Sequence, residues 1–505
     1  MKRFTVEKKY LLIPICTGEE KNILQIWAQE KKIYEFSIPA GKAEGIYRYE
    51  YYASVPVDIW MGKELTVRGD FARAFFEALA FSDDIAQVAQ ERPEIHFSAN
   101  TGWINDPNGL LYDKGCYHLY FQYNPFDVVW DNMCWGHAVS KDLLHWEQSE
   151  TVLFPDEEGT VYSGCGLLNE RNMLRLPKDA LLFIYTSAGT KSMWSRNSKF
   201  RQKIAYSLDG GKHVRTREGF VIDYIAEESR DPKVYWHERS NGYYMVLYLQ
   251  RNDFGIFRSE DLEHWEQTQE FTLDQAWECP DLREIPIESG GTKWVFISAD
   301  GFYFLGDFDG YQFETDGVRK NAYQTTLPYA AQTFWGPDDI IMISWLRTKN
   351  RNKIYRGVMS LPKKLTLDYY RGVLSLRQYP VQEYCLARKE VFQKTTKQIQ
   401  WRHERKEPLE LQIYGKEDIS FRGKILGNTY SYDAISGYLE VGMEKVFMEE
   451  KIHRLDILLD GEICEVLADE GFRYAAFEIE VYEEEKDITL EAEDELAVTI
   501  YVQRT

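Results

Sequence analysis

The chain has 505 residues and a formal net charge of −21, and 44% of it is apolar. That length supports two or three domains, each with its own core, and the negative field excludes nucleic acid and anionic membrane as partners. Aromatic residues make up 15%, with 14 Trp and 34 Tyr, and flat faces of this kind stack on sugar rings as well as packing a core.

Taken from the start, MKRFTVEKKYLLIPICTGEE carries only the short apolar run 11–16 before charge resumes, which makes a poor signal peptide. No apolar run approaches the roughly 18 residues of a membrane span. Seven cysteines are scattered without CxxC or Cys/His metal spacing, so they are expected to be reduced and mostly buried, and the chain to be cytoplasmic. Residues 1–92 alternate in YEFSIPA (34–40) and KELTVRG (63–69), the pattern of a small N-terminal β-sandwich. The joining stretch FARAFFEALAFSDDIAQVAQERPE spaces Phe71, Phe75, Leu79 and Ile85 as one helical face.

Five short apolar runs follow: CYHLYFQY (116–123), ALLFIYTS (180–187), YYMVLYLQ (243–250), KWVFISAD (293–300) and IIMISWLR (340–347). Their starts differ by 64, 63, 50 and 47 residues, a repeat that marks a propeller or an array. HAVSKDLLHWEQ (137–148) and IFRSEDLEHWEQ (256–267) share S-x-D-L-x-H-W-E-Q, with weaker versions in IAYSLDGGKHV (204–214) and FLGDFDGYQF (304–313). Each reads as strand, tight polar turn and strand. Four strands per unit and five units predict an all-β, five-bladed β-propeller over 93–380. His145 and His264 occupy equivalent repeat positions, which points to blade packing. A linker, PVQEYCLARKE (380–390), opens the last part, 381–505, where RLDILLDGEICEVLADEG (454–471) predicts a hairpin turning at Asp460-Gly461. LAVTIYVQ (496–503) predicts a final strand of a C-terminal β-sandwich, and the acidic run 483–495 a solvated face.

WINDPNG (103–109) alone reads as an ordinary β-turn, with Asp106 at its first corner. The repeat changes that. Asp106, Ser163, Asp231, Glu278 and Gln332 lie at comparable offsets upstream of the five runs, on the expected first strand of each blade, where they converge on the central axis. Three carboxylates in one pocket suit glycoside hydrolysis, in which one acts as nucleophile and one as acid and base; retention needs the pair about 5–5.5 Å apart. Crowded like charges raise at least one pKa. Glu278, between Trp277 and Cys279-Pro280, has the more apolar sequence neighbours and is the expected acid, whereas Asp106, beside Asn105 and a run of turn amides, is expected to stay ionised as nucleophile. Three acids and an Asn also suit calcium, yet no D-x-D-x-D-G loop is present, so no metal is assigned. G-x-S-x-G, H-E-x-x-H and a Walker loop are absent.

HFSANTGWINDPNG, FQYNP, WDNMCWGHAVSKDLLHW, YSGCG, SRDPKV, WECPDL and YAAQTF, in this order over roughly 94–390, resemble glycoside hydrolase family 32, the invertases, levanases, inulinases and sucrose-phosphate hydrolases. The resemblance implies a five-bladed propeller followed by a β-sandwich and a retaining enzyme without cofactor that releases terminal β-D-fructofuranosyl units from sucrose or fructo-oligosaccharides. It implies Asp106 as nucleophile, Glu278 as acid/base and Asp231 as transition-state stabiliser, with Arg230 beside it. Asn105, Gln122, Trp130, Tyr162 and Ser163 match the pocket for the terminal fructose. Tyr162 stands where Phe or Trp is frequent, and Cys165 where Ser is frequent, both expected near the pocket wall. Alternatives within this chemistry are an endo- or exo-levanase or inulinase acting on polymer, or a fructosyltransferase; outside it are an inactive sugar-binding propeller and an arabinan- or xylan-cleaving five-bladed enzyme. Either flanking β domain offers a surface for homo-oligomerisation, and the N-terminal module suits support, sugar binding or dimerisation.

Overall fold

Alternating burial drives the chain into strands from end to end, and the strands sort into sheets in chain order. The computed structural model describes residues 1–40, 48–88, 90–404, 406–416 and 418–503. Positions 41–47 and 89 of the expected N-terminal module, and 405, 417 and 504–505 of the expected C-terminal part, lie outside the described residues. No helix among the described residues is long and apolar enough to cross a membrane.

Two sheets form the N-terminal part. One orders Lys2–Thr5, Glu64–Arg68, Lys21–Ala28 and Lys31–Pro39; the other orders Tyr51–Pro56, Tyr10–Ile15 and Ala80–Ser82. Leu11, Ile13, Leu24, Ile26, Phe36, Val55 and Val67 fill the space between them. The helical face expected through the joining stretch shrinks to one short helix, Arg73–Ala78. Residues 80–82 add a strand beside Tyr10–Ile15 instead, where the sheet edge presents N–H and C=O groups that a further strand pairs.

Five antiparallel sheets follow, and the five apolar runs are their second strands: Cys116–Asn124, Leu181–Ala188, Gly242–Gln250, Thr292–Ile297 and Ile341–Leu346. Their first strands, Gly102–Asp113, Thr160–Leu168, Arg230–His237, Asp281–Pro286 and Pro328–Thr333, pack on one another around a common axis. The ring closes where the fifth sheet meets the first. Trp335 donates its N–H to the Leu110 carbonyl at 3.0 Å, Tyr112 donates to that of Trp335 at 2.9 Å, and Tyr355–Arg356 pairs in parallel with Gly102 and Trp103. The repeated S-x-D-L-x-H-W element is the outer turn of a blade. Asp142 accepts the N–H groups of Leu144 and His145 and holds His145 Nδ1 at 2.7 Å; Asp261 and His264 repeat this at 2.7 Å. Leu143 and Leu262 adopt φ of 65° and 66°. The two histidines are exposed and lock a turn, so they do not pack within the blades as the repeat suggested.

The linker holds a short helix, Gln382–Ala387, and the C-terminal strands form two layers joined by one long pair. Arg388–Arg402 and Asp487–Gln503 run side by side; the first part of Asp487–Gln503 pairs with Phe421–Ile425 and the second with Leu409–Gly415. Leu411, Ile413, Tyr430, Tyr432, Leu439, Ile457 and Val466 lie between the layers. The hairpin Arg454–Asp460/Ile463–Ala468 turns at Gly461-Glu462, one residue beyond the expected position, with Gly461 at φ 59°.

That shift leaves Asp460 as the end of a strand with its carboxylate free to reach the propeller. It accepts the N–H groups of Glu94, Ile95 and His96 at 2.8 to 3.0 Å and holds His96 Nδ1 at 2.8 Å, while Glu465 holds His96 Nε2 at 3.0 Å and Lys363 Nζ at 3.2 Å. Burial disfavours the charged imidazole, yet the two carboxylates outweigh it and raise His96 to about 9. A folded-state pKa above the free value stabilises below about 6.5, and this contribution disappears as pH rises through about 9. Thermal melting of the wild type is therefore expected to fall between pH 7 and 10 by a component that His96→Gln lacks. Asp460→Ala, which leaves a buried imidazolium half-paired, is expected to cost roughly 3–5 kcal/mol in chemical denaturation.

Candidate active site

WINDPNG is not a turn. It lies inside the strand Gly102–Asp113, whose register slips between Ile104 and Pro107 and again between Asn108 and Leu111. The first strands of the second, third and fifth sheets slip at the same place, between Val161 and Gly164, Arg230 and Lys233, and Tyr329 and Gln332. A β-bulge inserts a residue and re-aims its side chain, so the repeat places one redirected residue per strand near the axis. In the fourth sheet the equivalent residue, Glu278, precedes the strand instead of lying on it, with φ of 29° followed by Cys279 at 43°.

Asp106, Asp231 and Glu278 come together here. Asp106 Oδ2 accepts the Ser163 hydroxyl at 2.6 Å and Oδ1 accepts Asn105 Nδ2 at 3.1 Å; Asn105 is itself oriented by Trp103 Nε1 at 2.9 Å. Cys279 lies between two of the acids, its thiol directed at Asp106 Oδ2 (3.5 Å) and Asp231 Oδ2 (3.4 Å), and its N–H also donates to Asp231 Oδ2 at 3.0 Å. Glu278 Oε2 accepts Arg230 Nη2 at 2.7 Å and Nε at 3.1 Å, and Oε1 accepts the Tyr329 hydroxyl at 2.6 Å. Arg230 stacks on Tyr248 with its guanidinium 4.5 Å from the ring centre. Asp231 sits at φ 63°, a conformation that costs an Asp of order 1 kcal/mol and persists only if held. Its N–H donates to Thr186 Oγ1 at 3.1 Å, and Thr186 donates to Gln202 Oε1 at 2.7 Å.

Burial dominates the electrostatics. It pushes Asp231 up to about 7, with Arg230 pulling down and the other two acids pushing up. Burial and the Glu278 charge also raise Asp106, against the hydrogen bonds from Ser163, Asn105 and Cys279. The Cys279 thiol is forced well above its ordinary value by burial and the three acids, so it stays a donor. These directions revise the expectation that apolar neighbours single out Glu278. Trp277 is exposed and packs toward Tyr248, while Glu278 faces a cation and a hydroxyl; the carboxyl most strongly shifted by burial is Asp231.

The expected pocket residues divide. Asn105 and Ser163 touch Asp106, and Arg230 touches Glu278. Gln122 is buried and donates to the Val161 carbonyl at 2.9 Å, bracing the strand that carries Ser163. Trp130, half exposed, meets Tyr162 edge to face at 6.0 Å. Gln332 lies with the buried Lys233–Asp281 pair (3.5 Å) and accepts Lys233 Nζ at 3.3 Å. Cys165 does not line the pocket: it is fully buried and packs among Leu182, Val234 and Met245 between the second and third sheets, because the register slip between Val161 and Gly164 re-aims Ser163 and breaks the alternation that would put residues two apart on one face. Four residues were not singled out from the sequence. Tyr329, Cys279 and Thr186 carry no spacing signal, since their partners are brought in by other blades. Asp300, at the end of the fourth apolar run, is pushed to about 6 by burial and Glu278, opposed by Arg347.

Five sheets around an axis lined by three acids and a guanidinium define a propeller with the constellation of a glycoside hydrolase. The family model described as glycosyl hydrolases family 32 N-terminal domain matches residues 96–380, and the chain belongs to this family. It is similar to an invertase of Debaryomyces hansenii, 36% identical over 332 residues covering 58% of this chain and 61% of that protein, and to a levanase of Bacillus subtilis, 32% identical over 345 residues covering 60% and 50%. The match thus spans about half to three-fifths of the length of these relatives. Among solved structures, a fructofuranosidase of Schwanniomyces occidentalis complexed with fructosylnystose superposes with a TM-score of 0.72 at 26% identity, covering 83% of this chain and all of that one. An exo-inulinase of Aspergillus awamori, at 24% identity and a TM-score of 0.75 over 83% of this chain and 100% of that one, shares the fold.

A raised acid pKa carries a stability cost of known sign. Asp231 binds its proton more tightly folded (about 7) than unfolded (about 3.9), so the fold loses stability as pH rises between these values. Asp231→Asn is expected to raise stability at pH 8 by on the order of 1–3 kcal/mol, and the gain to vanish near pH 4. Melting curves of both proteins across that range check it.

Proposed function

We propose that this chain is a retaining β-fructofuranosidase that releases terminal fructose from sucrose and short fructo-oligosaccharides. The observation that carries the reading is the convergence of Asp106, Asp231 and Glu278 around one thiol and one guanidinium, in a family whose matched members are named invertase, levanase and exo-inulinase.

The chemistry divides among them by environment. Asp106 is the nucleophile for the anomeric carbon: hydrogen bonds from Ser163 and Asn105 favour its carboxylate and fix its orientation. Glu278 is the acid and base. Arg230 and Tyr329 fix its two oxygens, and it gives a proton to the leaving oxygen and takes one back from the attacking water. Asp231 accepts hydrogen bonds from sugar hydroxyls that strengthen as positive charge develops on the ring. Asp231 feels the charges of its neighbours as it titrates, and burial keeps a proton there up to about pH 7. The rate constant kcat/KM is expected to fall as pH rises through about 7, when the cluster loses that proton. Action on levan or inulin polymer, and transfer to a sugar instead of water, use the same covalent intermediate; product profiles on sucrose, inulin and levan, and at high sucrose, separate them.

Asp106→Asn removes the covalent route and is expected to lower turnover by several orders of magnitude in a folded protein; near-normal turnover ends the proposal. Glu278→Gln is expected to hurt sucrose far more than fructosyl fluoride, whose leaving group needs little protonation, and to let the intermediate accumulate as a burst. Asp231→Asn is expected to slow both substrates alike. The ratio of first-step rates for the two substrates in each mutant checks the roles, and the opposite pattern reverses them.

A further inference from the structure

Trp130 stands on the loop 125–132, between the second and third strands of the first sheet. Within the propeller this loop is held chiefly by Asn124, whose Nδ2 donates to the Val129 carbonyl at 2.8 Å and whose Oδ1 accepts the Phe126 N–H at 3.1 Å. Further anchors come from the N-terminal sandwich. Phe126 is fully buried in the sandwich core and stacks on Phe36 at 4.0 Å. Lys21 Nζ bridges Asp127 at 3.1 Å and Asp131 at 3.0 Å, the acids on either side of Trp130. Asn132 closes the loop against Ser37, accepting its N–H at 2.7 Å and donating to its carbonyl at 2.8 Å. A second connection is gripped likewise: Lys32 Nζ lies 4.5 Å from the Trp194 ring centre, between the second and third strands of the second sheet.

A module that merely supported the propeller would need only the apolar contact at Phe126. The ionic and amide contacts instead bracket the one half-exposed aromatic of the loop. Ordering an exposed aromatic loop on ligand binding costs entropy that is subtracted from affinity, and a loop already ordered in the free protein avoids that cost. We propose that Lys21 and Ser37 of the N-terminal module are positioning residues of the sugar pocket, holding the loop 125–132 so that Trp130 meets the bound sugar. This rests on the fructosidase reading above.

The test uses the full chain carrying Lys21→Met, assayed with sucrose and with a short fructo-oligosaccharide, alongside melting curves and hydrogen–deuterium exchange of the loop. KM is expected to rise about tenfold with kcat within about twofold, melting to stay unchanged, and exchange across 125–132 to accelerate. Lys21→Arg, which keeps a cation between the two acids, is expected to restore KM and exchange. Unchanged KM, with or without faster exchange, overturns the proposal, as does a loss that follows the melting temperature and is not rescued by Arg. If the wild type cleaves no fructoside, the functional reading fails by itself, and loop exchange still decides whether Lys21 holds the loop.

Discussion

Closure of the ring is the constraint on which the rest of the molecule depends. The hydrogen bonds between Trp335 and the strand Gly102–Asp113 join the last blade to the first, and with that joint made, five first strands share a narrow axis. Only then do residues 172 positions apart, such as Asp106 and Glu278, become neighbours. The axis is too crowded for straight strands to present side chains end to end, and the recurring bulges resolve this by turning one residue out of register in each of four strands.

The cost of that convergence is electrostatic. Carboxylates brought together out of water repel one another and lose solvation, and a fold tolerates this where a cation and donors are placed among them. Arg230 supplies the cation, and Cys279, Ser163 and Tyr329 supply the donors. Elsewhere the molecule buries charge in paired networks. His96, Asp460, Glu465 and Lys363 tie propeller to sandwich, and Lys233, Asp281 and Thr333 tie three blades across the axis. Those networks serve stability. The acid cluster carries a raised Asp231 in the manner of a site selected for chemistry.

The flanking domains divide their work differently. The C-terminal sandwich meets the propeller through the His96 lock, whereas the N-terminal sandwich takes Phe126 of a pocket loop into its core and grips it with Lys21 and Ser37.

The repeat of apolar runs was legible because each blade must bury its second strand on both faces, which writes an aromatic-rich stretch at regular intervals. The same repeat put Asp106, Asp231 and Glu278 in one phase, so the cluster could be read from spacing alone. Local chemistry was less informative. Asp-Pro-Asn-Gly has the composition of a turn and sits in a bulged strand, because cross-strand pairing with Cys116–Asn124 outweighs turn preference. Likewise the helical spacing of Phe71, Phe75, Leu79 and Ile85 outruns the helix, which stops at Ala78 before residues 80–82 pair with an open sheet edge. Which acid is most shifted, and that Tyr329, Cys279 and Thr186 serve the cluster, belonged to the tertiary structure only. A pKa depends on burial and on charges a few ångströms away, and those neighbours come from other blades. Sequence determined the period and the phase of the acids; the closed ring decided what surrounds each of them.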